Sequence, residues 1–146
     1  MGKPQNILTH EREGQELIEN FPVSFFSHAE AIYHLQEVGI DLKKTRVADW
    51  LQTSRANVSQ VIGRMQNSGL VDFGENLKLT ESGDCLAKIV IRRHRITERF
   101  LSEVLNLPWA DVYKEASKWE NVLSPLTEKA MLCLLYTSPS PRDTPQ

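Results

Sequence analysis

The hydrophobic period of this chain changes twice, and that limits the folds open to it more than any other feature. Through the first half, apolar residues recur at intervals of three and four. The set Ile32, Tyr33 and Leu35 is followed by Val47, Ala48, Trp50 and Leu51, then by Val58, Val61, Ile62 and Met65. Such spacing lays one stripe along each of several amphipathic helices. At Leu70-Val-Asp-Phe73, Gly74-Glu-Asn76 and Leu77-Lys-Leu79 it gives way to two short runs about a turn, which predicts a small β-ribbon. After Thr80 the helical interval returns and continues to Leu135. The chain is therefore expected to be mainly α.

Local signals set the expected boundaries. Ser27-His-Ala-Glu30 has the form of a capping box, so the first helix is expected to begin at Ser27 and stop at Gly39. A short helix over 45–51 is followed by a corner at Gln52-Thr53, and Ser54 caps a third helix that Ser68-Gly69 ends. Thr80 or Ser82 restarts helix, and no Pro or Gly interrupts 85–106, which predicts one long helix. Pro108 opens the next, with Val112, Ala116, Trp119 and Leu123 on one stripe, and Ser124-Pro125 opens a last one ending near Leu135. Trp50, Trp109, Trp119, Met65, Cys85 and Cys133 are expected to be core residues. The division implied is a polar extension over 1–26, a helix-helix-helix-ribbon domain over 27–80, a helical domain over 81–135 and a tail over 136–146.

Composition narrows the classes. At 146 residues there is room for one domain or two very small ones, and 40% apolar residues suffice for a core. Seventeen basic against nineteen acidic residues give a net charge of -2, which excludes a wholesale polycation. Two cysteines without a CxxC pair argue against a structural zinc site and point to a reducing compartment. No apolar run approaches membrane-spanning length, and the acidic start is unlike a signal peptide, so the expected location is the cytoplasm, with no membrane partner. The tail Tyr136-Thr-Ser-Pro-Ser-Pro-Arg-Asp-Thr-Pro-Gln146 holds three of the seven prolines, cannot build a core, and reads as translated adapter sequence.

Helix, short helix, corner, helix and ribbon, in that order, form a winged helix-turn-helix, whose third helix enters the DNA major groove. Charge agrees locally. Lys43, Lys44, Arg46, Arg55 and Arg64 face a single acid, Asp49, over 43–67, a net of +4 inside a chain of -2, as a duplex-binding face requires. At the start of the third helix Ser54, Arg55, Asn57, Ser59 and Gln60 can all bond to base edges or phosphates.

Several stretches carry a family resemblance: Arg46-Val-Ala-Asp-Trp-Leu51, Asn57-Val-Ser-Gln-Val-Ile-Gly-Arg-Met65, Gly69-Leu-Val71, Leu79-Thr-Glu-Ser-Gly83 and Ile91-Arg-Arg-His-Arg95. They continue through Phe100-Leu101, Glu103-Val-Leu-Asn-Leu-Pro-Trp109, Glu115-Ala116 and Trp119-Glu120 to Leu123-Ser124. In order and spacing they resemble the DtxR/MntR family of metal-dependent transcriptional repressors. The resemblance implies a winged helix-turn-helix followed by a helical dimerisation and metal-binding domain, with Mn(II) or Fe(II) as corepressor. Base and phosphate contacts are then implied at Ser54, Ala56, Gln60 and Arg64. The turn of the ribbon is shorter than the family's usual wing, which puts its backbone contact in question.

Family ligand positions fall on Ser27, Glu30, His94, Glu98, Ser117, Glu120 and Asn121. His94 and Glu98, four apart, share one helix face, and Ser117, Glu120 and Asn121 share another. Glu30, His94, Glu98 and Glu120 keep ligand chemistry, Asn121 keeps a carbonyl oxygen, and Ser27 and Ser117 lose theirs, with His28 a neighbour able to substitute for Ser27. One imidazole among carboxylates suits Mn(II) or Fe(II) rather than soft ions. Each residue also has a plainer reading: Glu30 as cap, His94 as a solvated or phosphate-facing histidine, Glu98 paired with Arg95 or Arg99, and Glu120 paired on the surface.

The expected function is that of a homodimeric, metal-responsive repressor of metal-homeostasis genes that binds a double-stranded operator and is no enzyme. A winged-helix regulator indifferent to metal is the alternative. A metal-dependent hydrolase using His94, Glu98 and Glu120 is remote, because no nucleophile-base pair or phosphate-binding glycine loop accompanies them. A helical interaction module is disfavoured by the +4 segment.

Overall fold

The computed structural model describes residues 19–39 and 41–137. Its elements are α1 (Val23–Val38), α2 (Lys44–Leu51), α3 (Arg55–Asn67), β1 (Val71–Phe73), β2 (Leu77–Leu79), α4 (Glu81–Arg99), a π-helical segment over Phe100–Val104, α5 (Trp109–Val122) and α6 (Pro125–Thr137). The chain divides into two compact units, Met1–Ile89 and Val90–Gln146, so the division falls inside α4.

In the first unit, α1 begins four residues before the expected Ser27. Pro22 holds the N-cap position with ψ 150°, which sets the chain up for helix without any side-chain cap. Ser27 Oγ instead donates to the Ser24 carbonyl at 3.2 Å, one turn back within the same helix. The expected capping box is therefore not the helix start. Gly39, at φ 75°, ends the helix as read. The corner after α2 turns on Gln52, whose φ of 53° is unusual for a side-chain-bearing residue. Ser54 then caps α3, its Oγ accepting from Asn57 N at 3.1 Å.

Ile32, Val47, Val58, Ile62, Met65, Leu70, Val71 and Leu77 are the centre of this unit's core, all essentially inaccessible. Val71 pairs with Leu79 and Asp72 with Lys78 across the antiparallel ribbon, and Leu77 N donates to Leu42 O at 3.1 Å, tying the ribbon to the loop before α2. Thr80 turns the ribbon into α4: its Oγ1 donates to Gly69 O at 2.6 Å and accepts from Gly83 N at 3.1 Å. The first turn of α4 is thereby fastened to the end of α3, which is why the first unit extends past residue 80.

In the second unit, α4 gives way at Phe100 to i→i−5 bonding, with Leu105 N donating to Phe100 O at 3.2 Å. The long helix expected through residue 106 thus ends in a wider turn. Asn106, at φ 54°, reverses the chain before Pro108 opens α5. Ile96, Leu123 and Met131 pack with Phe100, Trp119, Leu132 and Leu135, while Leu101, Val112 and Ala116 form a second cluster that shares Phe100 and Trp119. Buried Glu128 on α6 accepts from Arg92 Nη2 at 3.1 Å and from Arg93 Nε at 3.0 Å, joining α6 to α4. Met65 and Trp119 take the packing roles expected of them. Trp50 and Trp109 do not, being 51% and 80% exposed, and Cys85 is half-buried and Cys133 exposed. Trp50 shares α2 with Val47 and Ala48, and those two alone fill its buried face.

Candidate nucleic-acid interface and metal centre

The first turns of α3 present Ser54, Arg55, Ala56, Asn57, Ser59 and Gln60 to solvent, while Val58, Val61, Ile62 and Met65 hold its opposite face in the core. Two of these polar residues are partly engaged. Ser54 is the cap, and Asn57 Nδ2 donates to Thr53 Oγ1 at 3.1 Å, bracing the corner. Arg64 is exposed, but its guanidinium lies over the Phe25 ring at 5.5 Å, an arrangement that fixes the cation against α1. Lys43 and Arg46 are exposed and Lys44 is half-buried, at the start of α2. The ribbon adds little positive charge, because exposed Lys78 stands across from exposed Asp72, and Glu75 lies at the exposed tip.

In the second unit α4 and α5 bring three of the proposed ligands together. His94 is only 6% exposed. Its Nδ1 lies 2.7 Å from Glu120 Oε2, and its Nε2 faces Glu98 Oε1. Glu120 is buried with it, whereas Glu98 reaches partly into solvent. Neither acid takes the plainer role open to it: the basic residues Arg99 and Lys118 pair with Glu103 and Glu115. Nor is His94 a solvated histidine. The Tyr113 ring meets the His94 ring edge-on at 4.9 Å.

An imidazole with a carboxylate at each nitrogen carries more negative than positive charge even when its ring is protonated. Buried charge of that kind calls for a compensating cation. The His94 Nδ1 nitrogen with the Glu120 carboxylate beside it matches the donor preferences of Mn(II) and Fe(II), while Glu98 at the opposite nitrogen is placed to orient the ring. The donor set therefore fits the metals named by the sequence resemblance.

The remaining predicted positions are engaged locally. Ser117 Oγ donates to Tyr113 O at 3.0 Å and Asn121 Nδ2 to Ser117 O at 3.3 Å, both along α5 itself. Glu30 is half-buried on α1, with His34 Nε2 3.9 Å from its Oε1. His28, the suggested substitute for Ser27, is 3% exposed in the core of the first unit, and its Nδ1 lies 2.8 Å from Ser24 O. Burial lowers its pKa, against the raising effect of that bond. Sequence reasoning missed the Tyr113 contact, although Tyr113, Ser117 and Glu120 recur at helical spacing, and it missed the pairing of Glu128 with two arginines.

Residues 80–140 match the family model described as the iron-dependent repressor metal-binding and dimerisation domain. The iron-dependent repressor IdeR of Mycobacterium tuberculosis strain H37Rv is 41% identical over 106 residues, 71% of this chain and 46% of that protein. The diphtheria toxin repressor of Corynebacterium diphtheriae is 37% identical over 106 residues, 71% of this chain and 47% of its own. The chain thus spans about half the length of these curated relatives. Among solved structures, a manganese-dependent transcriptional repressor in complex with manganese superposes with a TM-score of 0.72 at 28% identity, covering 76% of this chain and 52% of that one. The manganese regulator SloR gives 0.70 at 25% identity, covering 78% and 54%. Among the described residues no helix is long and apolar enough to cross a membrane.

Proposed function

Because this chain belongs to the DtxR/MntR family of metal-dependent transcriptional repressors, we propose that it is a metal-responsive DNA-binding regulator and not an enzyme. Mn(II) or Fe(II) is its corepressor and a double-stranded operator its target. The observation that carries this reading is the buried His94 imidazole with Glu98 and Glu120 at its two nitrogens. His94 and Glu120 hold the ion, Glu98 at the other ring nitrogen orients the imidazole, and the ion supplies the positive charge that the clustered carboxylates call for. Glu30 and the Asn121 carbonyl oxygen are further donors. Lys43, Lys44, Arg46 and Arg64 contact phosphates. Ser54, Arg55, Ala56, Asn57, Ser59 and Gln60 face the major groove.

The regulator acts as a homodimer. Exposed Trp109 and Tyr113, four apart on α5, are large apolar side chains of the kind a second copy covers. Two protomers then place two copies of α3 on successive half-sites. Metal and operator binding are reciprocally coupled, so whatever factor metal adds to operator affinity, operator adds to metal affinity.

A second reading, a regulator indifferent to metal, is favoured by Ser27, Ser117 and Asn121, whose side chains bond to carbonyls of their own helices. Metal content of purified protein and of His94→Ala, with duplex retention measured with and without Mn(II), separates the two. The metal-responsive reading expects the wild type to hold metal that the variant lacks, and Mn(II) to strengthen duplex retention. Equal metal content in both proteins places the site elsewhere, and retention independent of Mn(II) leaves the metal-blind reading.

A further inference from the structure

Three residues of α1 and one of α2 form a contact chain that leads from Glu30 into the helix-turn-helix. Glu30, His34 and Glu37 lie on one face of α1. His34 Nε2 is 3.9 Å from Glu30 Oε1, and its Nδ1 is 3.9 Å from Glu37 Oε2. Both separations are within ion-pair range and beyond a formed hydrogen bond, so neither acid locks the ring. The indole of Trp50 on α2 is stacked on the imidazole with centroids 5.9 Å apart and planes 24° apart, and the Tyr33 ring meets the same imidazole edge-on at 6.1 Å. Trp50 is half exposed, and its principal aromatic neighbour is this histidine rather than the core.

We propose that His34 is a positioning residue that transmits metal occupancy at Glu30 to α2, and through α2 to the recognition helix. The inference rests on the reading of Glu30 as a metal donor. A carboxylate drawn onto a divalent cation turns from its neighbour, so the ring gives up its contact with Glu30 and keeps Glu37 and the indole face as partners. Displacing the imidazole displaces Trp50, and α2 carries α3 through the tight corner at Gln52, with Thr53 N bonded to Ala48 O at 3.1 Å. A change at Trp50 therefore reaches α3 along a short, bonded path.

The test uses the full chain, Mn(II) chloride and a duplex that the protein itself selects from random-sequence DNA in the presence of Mn(II). Bound metal is measured by equilibrium dialysis, and tryptophan emission is followed in parallel. Wild-type emission is expected to change with Mn(II), and the change is expected to be smaller in Trp50→Phe, where only Trp109 and Trp119, the latter beside Glu120, remain to report the ion. His34→Ala is expected to bind Mn(II) within about threefold of wild type while losing most of the metal-induced gain in duplex affinity, which in coupled systems is about 5- to 150-fold. Trp50→Phe, which keeps an aromatic face for the imidazole, is expected to retain that gain. A His34→Ala protein with the full gain overturns the proposal, as does an emission change of undiminished size in Trp50→Phe. Glu30→Gln separates the two layers: wild-type metal binding and gain in that variant remove Glu30 as donor and end the relay, while the site at His94 stands. A wild type that binds no Mn(II) removes the metal reading and the relay together.

Discussion

A Cβ added at residue 83 would lie 2.0 Å from the Leu70 carbonyl oxygen and 3.0 Å from the Leu70 carbonyl carbon. Both atoms are backbone, so no rotamer change relieves the clash, and either α4 or the turn after α3 must move. Gly83→Ala is therefore expected to destabilise the protein by about 2 kcal/mol or more, within the range for overpacked sites. Urea unfolding of wild type and variant measures this, and a difference under about 0.5 kcal/mol, the scale of ordinary surface changes, contradicts it. The sequence named Thr80 as a helix start but gave no sign of this contact, because the atom Gly83 must avoid belongs to a residue thirteen positions earlier. His94 is the converse case. Its i,i+4 partner Glu98 was legible from spacing, whereas the 2.7 Å contact to Glu120 depends on how α5 folds back on α4. Helical spacing cannot show that.

At the scale of elements, most of the helix-turn-helix was legible because its signals are local: the Ser54 cap, the Gly39 stop and the apolar stripes of α2 and α3. The start of α1 was misread because two valid start signals lie within one turn and a half of each other. Pro22, the earlier one, prevails and leaves Ser27 in the helix interior. Periodicity likewise assigned Trp50 to the core, since a stripe shows which side chains share a face and not how much of it is covered. Under the proposed DNA-binding function, the exposed side of α3 and the near-neutral ribbon put base recognition on the helix. Arg55→Ala and Gln60→Ala are each expected to cost about 1–3 kcal/mol on the selected duplex and to relax its sequence preference. Lys78→Ala is expected to weaken all duplexes alike and by less, since one cation facing Asp72 releases at most about one counterion. Salt-dependent retention assays check both expectations. A Lys78→Ala loss as large and as sequence-selective as that of Arg55→Ala would return the wing to the recognition surface.

For the whole molecule, a near-neutral total conceals an uneven distribution. The +4 segment lies in the first unit and the buried carboxylates in the second, while the large exposed aromatics Trp109 and Tyr113 are both on α5. A side chain as large as Trp109, 80% exposed at the start of α5, adds little to the stability of its own protomer. Replacing it with glutamate should leave protomer folding nearly unchanged, as at other exposed positions, whereas in an interface the same change buries an unpaired charge and costs several kcal/mol. Trp109→Glu is therefore expected to shift the chain from dimer to monomer at micromolar concentration in sedimentation, raising the dimer dissociation constant by at least about tenfold, equivalent to about 1.4 kcal/mol. Wild-type thermal stability should rise with protein concentration as mass action requires of a dimer, and that dependence should vanish in the variant. Duplex affinity should fall with it, because one copy of α3 then engages one half-site at a time. A Trp109→Glu protein that still sediments as a dimer would place the interface on another face of the second unit.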